Sequence, residues 1–318
     1  MIERGLDRAM ERLPLAYPQL LLLVVLASGA YLLDVTWCCA DPTTPFRGSW
    51  VTPLSFASEA LRSSHELFAM LRFLYLVAAV GWFLQLLVPY TSWLATIAFT
   101  MAVSQHLEQL SYVEHVFQLT NLSMIVLALA HTATASAVRQ ALRDGRLWST
   151  PLFPRWAWWL ILLTVGITYS RAGLYKVVVG GIGWANGLPL QLWVSLWSPP
   201  GSLRSSILQS RDLASALQWA ALIAESAALF ALPWRSSRAL VGLGLAGFHL
   251  GQWLVFGWAF QANLALLVVV LLPVEPLVTV GVARLRKRFG KGRPPPTSPI
   301  LRSIAARLDL VGWYAPTR

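Results

Sequence analysis

Charge is scarce in this chain. Only 12% of its 318 residues are charged, and just 14 are acidic; a soluble domain carries about 25% charged residues, so half the usual supply is missing. Cysteine is nearly absent. The two present, Cys38 and Cys39, are adjacent, which disfavours a mutual disulfide on geometric grounds and leaves free thiols or bonds to a partner. There is no CxxC and no HExxH. The histidines and acids at His106, Glu108, Glu114 and His115 follow no metal-ligand spacing, so no metal site is assigned. Gly180-Gly181-Ile182-Gly183 has neither a preceding strand nor a P-loop lysine, which argues against a phosphate cradle.

What the chain has instead is apolar length. Hydrophobic residues make up 56% of it, gathered in blocks such as 20–33, 73–88, 156–167 and 264–273. A hydrocarbon layer about 30 Å thick needs roughly 20 such residues per helix. Only helices or closed barrels satisfy the backbone there, and the blocks lack the two-residue alternation of a barrel. The expected fold is therefore all-α, a polytopic membrane helix bundle of about eight transmembrane helices. The candidate spans are 15–33, 67–88, 92–108, 112–133, 155–177, 213–233, 237–258 and 261–282. Residues 1–33 also fit a secretory signal, because Ala27-Ser28-Gly29-Ala30 resembles a cleavage site; the mixed-charge start and long apolar run favour a retained anchor.

The net charge of +11 sits at block ends and in the tail, which is the pattern of cytoplasmic loops and anionic-lipid contact rather than of nucleic-acid binding. Arg139, Arg143, Arg146 and Arg155 follow span four, Arg235 and Arg238 follow span six, and Arg284, Arg286, Lys287 and Arg288 follow span eight. With eight spans all three groups share a side with the N-terminus, so both termini are expected in the cytoplasm of a multi-pass inner or plasma membrane protein. The other face would carry 34–66, the turn around Tyr112, the long stretch 178–212 and the turn near Trp258. Residues 1–283 read as one transmembrane domain. Residues 284–318 form a basic cytoplasmic tail containing Pro294-Pro295-Pro296, after which Ile300, Leu301, Ile304, Leu308 and Val311 recur at the spacing of an interfacial helix. Sixteen Trp residues, many at block ends, suit an interfacial aromatic belt.

Ionisable residues inside apolar blocks are costly, and each is a functional candidate. Lys176 closes the fifth span, His115 opens the fourth, His249 lies in the seventh, Glu225 is near the centre of the sixth, and Arg72 lies in the second. On the expected topology Lys176, His115, His249 and Glu225 converge on one depth toward the non-cytoplasmic face. A lysine in a dry pocket can serve as a base, and histidine can orient or protonate a substrate oxygen. The plainer readings stay open beside these. Lys176 also fits a side chain snorkelling to the interface, the histidines fit hydrogen-bonded packing residues, and Glu225 fits a partner for Lys176 or His249. His65, His106 and His131 have no supporting context.

Several short motifs occur in an order that resembles a known family. Ala172-Gly173-Leu174-Tyr175-Lys176, followed by Trp184-Ala185-Asn186-Gly187, is similar to the Ala-Gly-x-x-Lys helix end and Trp-x-x-Gly segment of the HTTM (horizontally transferred transmembrane) proteins and of the membrane domain of vitamin K-dependent γ-glutamyl carboxylase. Glu114-His115 resembles that family's Asn-His pair, and Phe248-His249-Leu250 its Phe-His-Leu helix, with Glu225 in a similar upstream place. The resemblance spans about residues 65–275. It implies that Lys176 is a base toward a reduced quinone of the vitamin K type, whose oxygenation yields a base strong enough for glutamate γ-proton removal before CO2 adds. By the same resemblance Lys176, His115 and His249 are catalytic, and Glu114, Arg171, Glu225 and Trp184 border the cofactor. Three departures qualify it: Glu114 replaces an amide, the family's Lys-Leu-Asp is Lys176-Val177-Val178, and the carboxylase's large extramembrane domain has no counterpart. The shorter size is similar to that of membrane proteins that mature exported peptide toxins. Two functions follow. One is a carboxylase-like enzyme modifying a peptide or small molecule at the outer face; the other is a non-catalytic membrane factor that matures or escorts an exported peptide. The bilayer and an exported peptide are the partners implied.

Overall fold

The structure, a computed structural model, describes residues 16–39, 52–58, 64–109, 115–132, 154–257, 260–272 and 274. Among the described residues there are ten α-helices and no β-strand: α1 Ala16–Cys39, α2 His65–Phe83, α3 Tyr90–Gln109, α4 Gln118–Thr132, α5 Arg155–Gly180, α6 Leu188–Trp197, α7 Ser202–Gln209, α8 Arg211–Ala231, α9 Arg235–Phe256 and α10 Gln261–Leu271. Helices occupy all eight segments expected as spans. Three of them, α2, α8 and α9, are long and apolar enough to cross a membrane by length and composition.

Local chemistry sets several helix ends away from their expected places. The second span stops at Phe83 rather than 88, where the chain reverses through Gln85 and Leu87, both at positive φ. The fourth opens as a 3-10 turn, His115–Phe117, before α4 begins at Gln118. The last helix stops at Leu271, where Leu272 is extended, as the residue before a proline prefers; residues 275–282 of that expected span lie outside the described residues. The stretch 178–212, expected only as a long connection, contains a 3-10 turn at Ile182–Ala185 and two short helices, α6 and α7. The tail 284–318, the basic connection after α4 and Trp258 lie outside the described residues.

One large apolar core joins α1–α5 to α8–α10. α1 is part of it, with Leu21, Leu22, Val25, Leu26, Leu32 and Leu33 buried. Its small-residue run is a packing surface, since a Cβ on Gly29 would run into the Tyr75 hydroxyl; that hydroxyl donates to the Leu26 carbonyl at 2.6 Å. Arg72, one of the in-span charges, pairs with Asp34 across α1 and α2. Polar side chains also tie α3 to α4, where Thr100 Oγ1 donates to Asn121 Oδ1 at 2.8 Å. In hydrocarbon such contacts replace the hydrophobic drive that water supplies to soluble bundles.

The most extensive packing is between α5 and α8 and between α2 and α3. On α5 the buried residues Ile161, Leu162, Val165, Gly166, Tyr169, Ser170 and Gly173 recur every three or four positions, so they form one stripe. On α8 the matching stripe is Ala214, Gln218, Ala221, Leu222, Glu225 and Ala228. Small residues stand at the close approach, Gly166, Ser170 and Gly173 on α5 and Ala214, Ala221 and Ala228 on α8, which lets the two backbones come together.

Candidate functional site: a lysine–glutamate pair beside a tyrosine–histidine pair

The α5 stripe continues one turn past Gly173 to Lys176. Tyr169, Gly173 and Lys176 stand four and three residues apart and share a face. Gly173 sets the local separation of the helices: a Cβ there would stand 2.6 Å from the Ser226 nitrogen and 2.9 Å from the Glu225 Cβ. Ser170 reinforces the contact. Its hydroxyl donates to the Ser226 carbonyl at 3.0 Å and accepts from the Leu229 N–H at 2.9 Å. With the backbones held this close, the Lys176 ammonium forms an ion pair with Glu225, whose side chain is only 4% exposed against 25% for the lysine. The carboxylate is thus neutralised where it is buried, as a buried charge requires.

Aromatic groups border the ammonium. The ring centroids of Trp184 and Phe248 lie 5.1 and 5.8 Å from Lys176 Nζ, within cation–π range. Trp184 is placed by a turn that the structure clamps from one side. Gln218 Oε1 accepts from the Gly187 N–H at 2.8 Å while its Nε2 donates to the Trp184 carbonyl at 2.9 Å. Ser215 donates to the Ala185 carbonyl at 2.6 Å and Arg211 to the Asn186 carbonyl at 3.0 Å. Gly187 sits at φ +92° with the Arg211 carbonyl 2.6 Å from any added Cβ, so only glycine fits. The Trp-x-x-Gly spacing is therefore the sequence trace of a turn seated on α8.

On α9, His249 is buried next to the pair. Its Nε2 lies 2.6 Å from the Tyr169 hydroxyl, and its Nδ1 lies 3.0 Å from Gln252 Oε1. An amide oxygen accepts only, so Nδ1 carries the hydrogen and Nε2 accepts from tyrosine. Phe248 and Phe260 flank the imidazole at 5.2 and 5.5 Å between ring centroids.

Of the sequence candidates, Lys176, Glu225, His249 and Trp184 come together here. Arg171 does not join them: it is exposed and, five residues before Lys176, points about 140° around the helix from it. Glu114 lies outside the described residues, and only the backbone of His115 is described. Tyr169, Gln252 and Gln218 were not singled out from sequence. The signal for Tyr169 and Gln218 was present, since each stands seven residues before a candidate (Lys176 and Glu225) and so on the same helix face.

An all-helical bundle with long apolar helices and a buried ion pair between two of them defines a membrane protein with a polar centre. A family model described as HTTM domain matches residues 22–274, and the chain belongs to the HTTM family. The HTTM domain is a membrane domain associated with carboxylase-like proteins. No curated protein and no solved structure matches the chain.

Proposed function

We propose that this HTTM protein is a multi-pass membrane enzyme of the carboxylase-like class, with eight spans, both ends cytoplasmic and its chemistry at the opposite face. Lys176 and Glu225 are its proton-exchanging centre. The observation that carries this reading is the buried ion pair itself, ringed by Trp184 and Phe248 and set beside a hydrogen-bonded Tyr169–His249 pair. A proton passed from Nζ to the Glu225 carboxylate leaves a free amine with no change in the net charge buried, so the pair supplies a base at little electrostatic cost. The amine can then take up one further proton at Nζ. His249, fixed by Gln252, and Tyr169 orient a polar oxygen nearby.

The residues present fit a flat, lipid-soluble hydroquinone: aromatic walls for a ring, an amine and a hydroxyl–imidazole pair for its oxygens, and a Ser226 hydroxyl that is buried without a partner. Such a group, when bound, supplies an acidic phenolic hydroxyl and reducing power. Trp184, Phe248 and Phe260 would hold it, with Lys176 Nζ at an oxygen. Its co-substrate would be a peptide or small molecule reaching the outer face.

The test uses purified protein in lipid nanodiscs with a reduced naphthoquinone under air, following oxidation of the hydroquinone. Wild type should outpace protein-free discs, and Lys176→Ala should fall to the blank per mole of folded protein, even where its melting temperature drops with the loss of the ion pair. A Lys176→Ala variant that oxidises as fast as wild type would remove the lysine from the chemistry. No acceleration by wild type would remove the hydroquinone.

A second reading rests on Ser170, Lys176 and Glu225 together knitting α5 to α8. In that case the protein is a non-catalytic membrane factor that matures or escorts an exported peptide. Lys176→Ala would then lower abundance, and peptide export would fall in proportion to the protein lost.

A further inference from the structure

Helix α6, LPLQLWVSLW, contains no charged residue and is apolar on two faces. Its inner face packs into a small core separate from the main one, in which Val194 meets Ile207 of α7, Ala214 of α8 and Val255 of α9, with Leu190 against them. Its outer face carries Leu188, Leu192, Trp193, Leu196 and Trp197, each 51–67% exposed. The donors of its two polar residues are bound within the protein: Gln191 Nε2 donates to the Ile207 carbonyl at 3.0 Å and Ser195 Oγ to the Leu192 carbonyl at 2.7 Å. A helix on an aqueous surface would show charge on that outer face.

We propose that α6 lies in the plane of the membrane interface, its outer face seated at the boundary of headgroups and acyl chains. Three observations select lipid as the occupant. At 10 residues the helix is about 15 Å long, too short to cross. It follows the end of α5 and precedes α8, and it packs on both α8 and α9, long apolar helices that themselves expose Trp219, Ile223, Trp253 and Leu254. A cation stands at each end of it, Arg204 donating to the Ser195 carbonyl at the tryptophan end and Arg211 to the Asn186 carbonyl just before the helix begins, both at 3.0 Å. Tryptophan and arginine beside an apolar face are the composition of an interfacial helix. The proposal does not depend on the chemistry assigned to Lys176.

The full chain carrying Cys38→Ser and Cys39→Ser, with one cysteine introduced at Leu192, Leu196 or Ser205, is labelled with bimane and placed in phosphatidylcholine–phosphatidylglycerol vesicles. Ser205, exposed on α7, is the reference. Labels at 192 and 196 should be quenched at least twofold more by 5-doxyl than by 12-doxyl lipid, and iodide should quench them at least threefold less than the label at 205. Iodide quenching equal to that at 205 would overturn the proposal, because water would then cover the face. So would stronger quenching by the 12-doxyl lipid, which marks a deeply immersed segment. Quenching by neither, together with disulfide cross-linking of two unlabelled copies through the introduced cysteine that vanishes on dilution in lipid, would show that a second copy covers the face, and would equally overturn it.

Discussion

Gly173 of α5 faces the backbone nitrogen of Ser226 on α8 so closely that a Cβ would come within 2.6 Å of it. Lys176 reaches Glu225 one turn later because of that approach. Gly173→Val is expected to force α5 and α8 apart, lowering stability by about 1–3 kcal/mol as overpacked sites do and parting the ion pair. Gly247→Ala, in the interior of α9 where nothing lies within 4 Å of the added Cβ, should hold or slightly raise the melting temperature. Thermal unfolding of both variants in one detergent decides it; equal melting curves would mean that the helices do not depend on the glycine.

The ion pair should behave as one unit. Glu225→Gln or Lys176→Met alone leaves a buried group without its counter-charge, and breaking one side of a buried pair costs about 3–5 kcal/mol. The double variant should lose clearly less than the sum of the two. A double-mutant cycle on unfolding free energies reads the coupling directly, and strict additivity would show that the two groups ignore each other in the folded protein.

Gln218 should control the turn that carries Trp184. Gln218→Leu leaves the Gly187 N–H and the Trp184 carbonyl without the amide that bridges them, a loss of about 1–3 kcal/mol per orphaned group. Hydrogen exchange over residues 181–188 should accelerate while exchange in α2 stays as it was. Uniform acceleration throughout the chain would point to global destabilisation instead.

Tyr169→Phe removes the hydroxyl that donates to His249 Nε2 and keeps the ring. The stability change should be about 1 kcal/mol, whereas turnover in the hydroquinone assay should drop about 10²-fold if the hydroxyl takes part in proton handling. Gln252→Leu, which frees the other imidazole nitrogen, should lower turnover to a lesser extent by letting the ring change tautomer. Full activity in both variants would separate the imidazole from the chemistry.

Much of the fold was legible in the residues. Helices occupy the eight segments read as spans, because apolar runs of that length have few alternatives in hydrocarbon. Residues 188–209 escaped that reading: α6 and α7 are too short for a span and are punctuated by Gly187, Pro189, Pro199 and Pro200. At the site, Lys176, Glu225, His249 and Trp184 stood out, the first three as ionisable groups in apolar surroundings and Trp184 by its motif. Arg171 entered only through the family resemblance, and it is turned to the outside.

Composition, run length and the placement of rare charges thus settled, without any coordinates, that the chain is helical, apolar and built around a few buried ionisable groups. Those are one-dimensional properties, fixed by solvation and by the backbone's need for hydrogen bonds. Which carboxylate meets Lys176, which nitrogen of His249 faces Tyr169, and that Gln218 holds the Trp184 turn were decided only by tertiary packing. Each partner there lies 31 to 80 residues away, and a face shared across two helices depends on how closely their backbones approach, a distance set by Gly173 and Ser170 together with what stands opposite them.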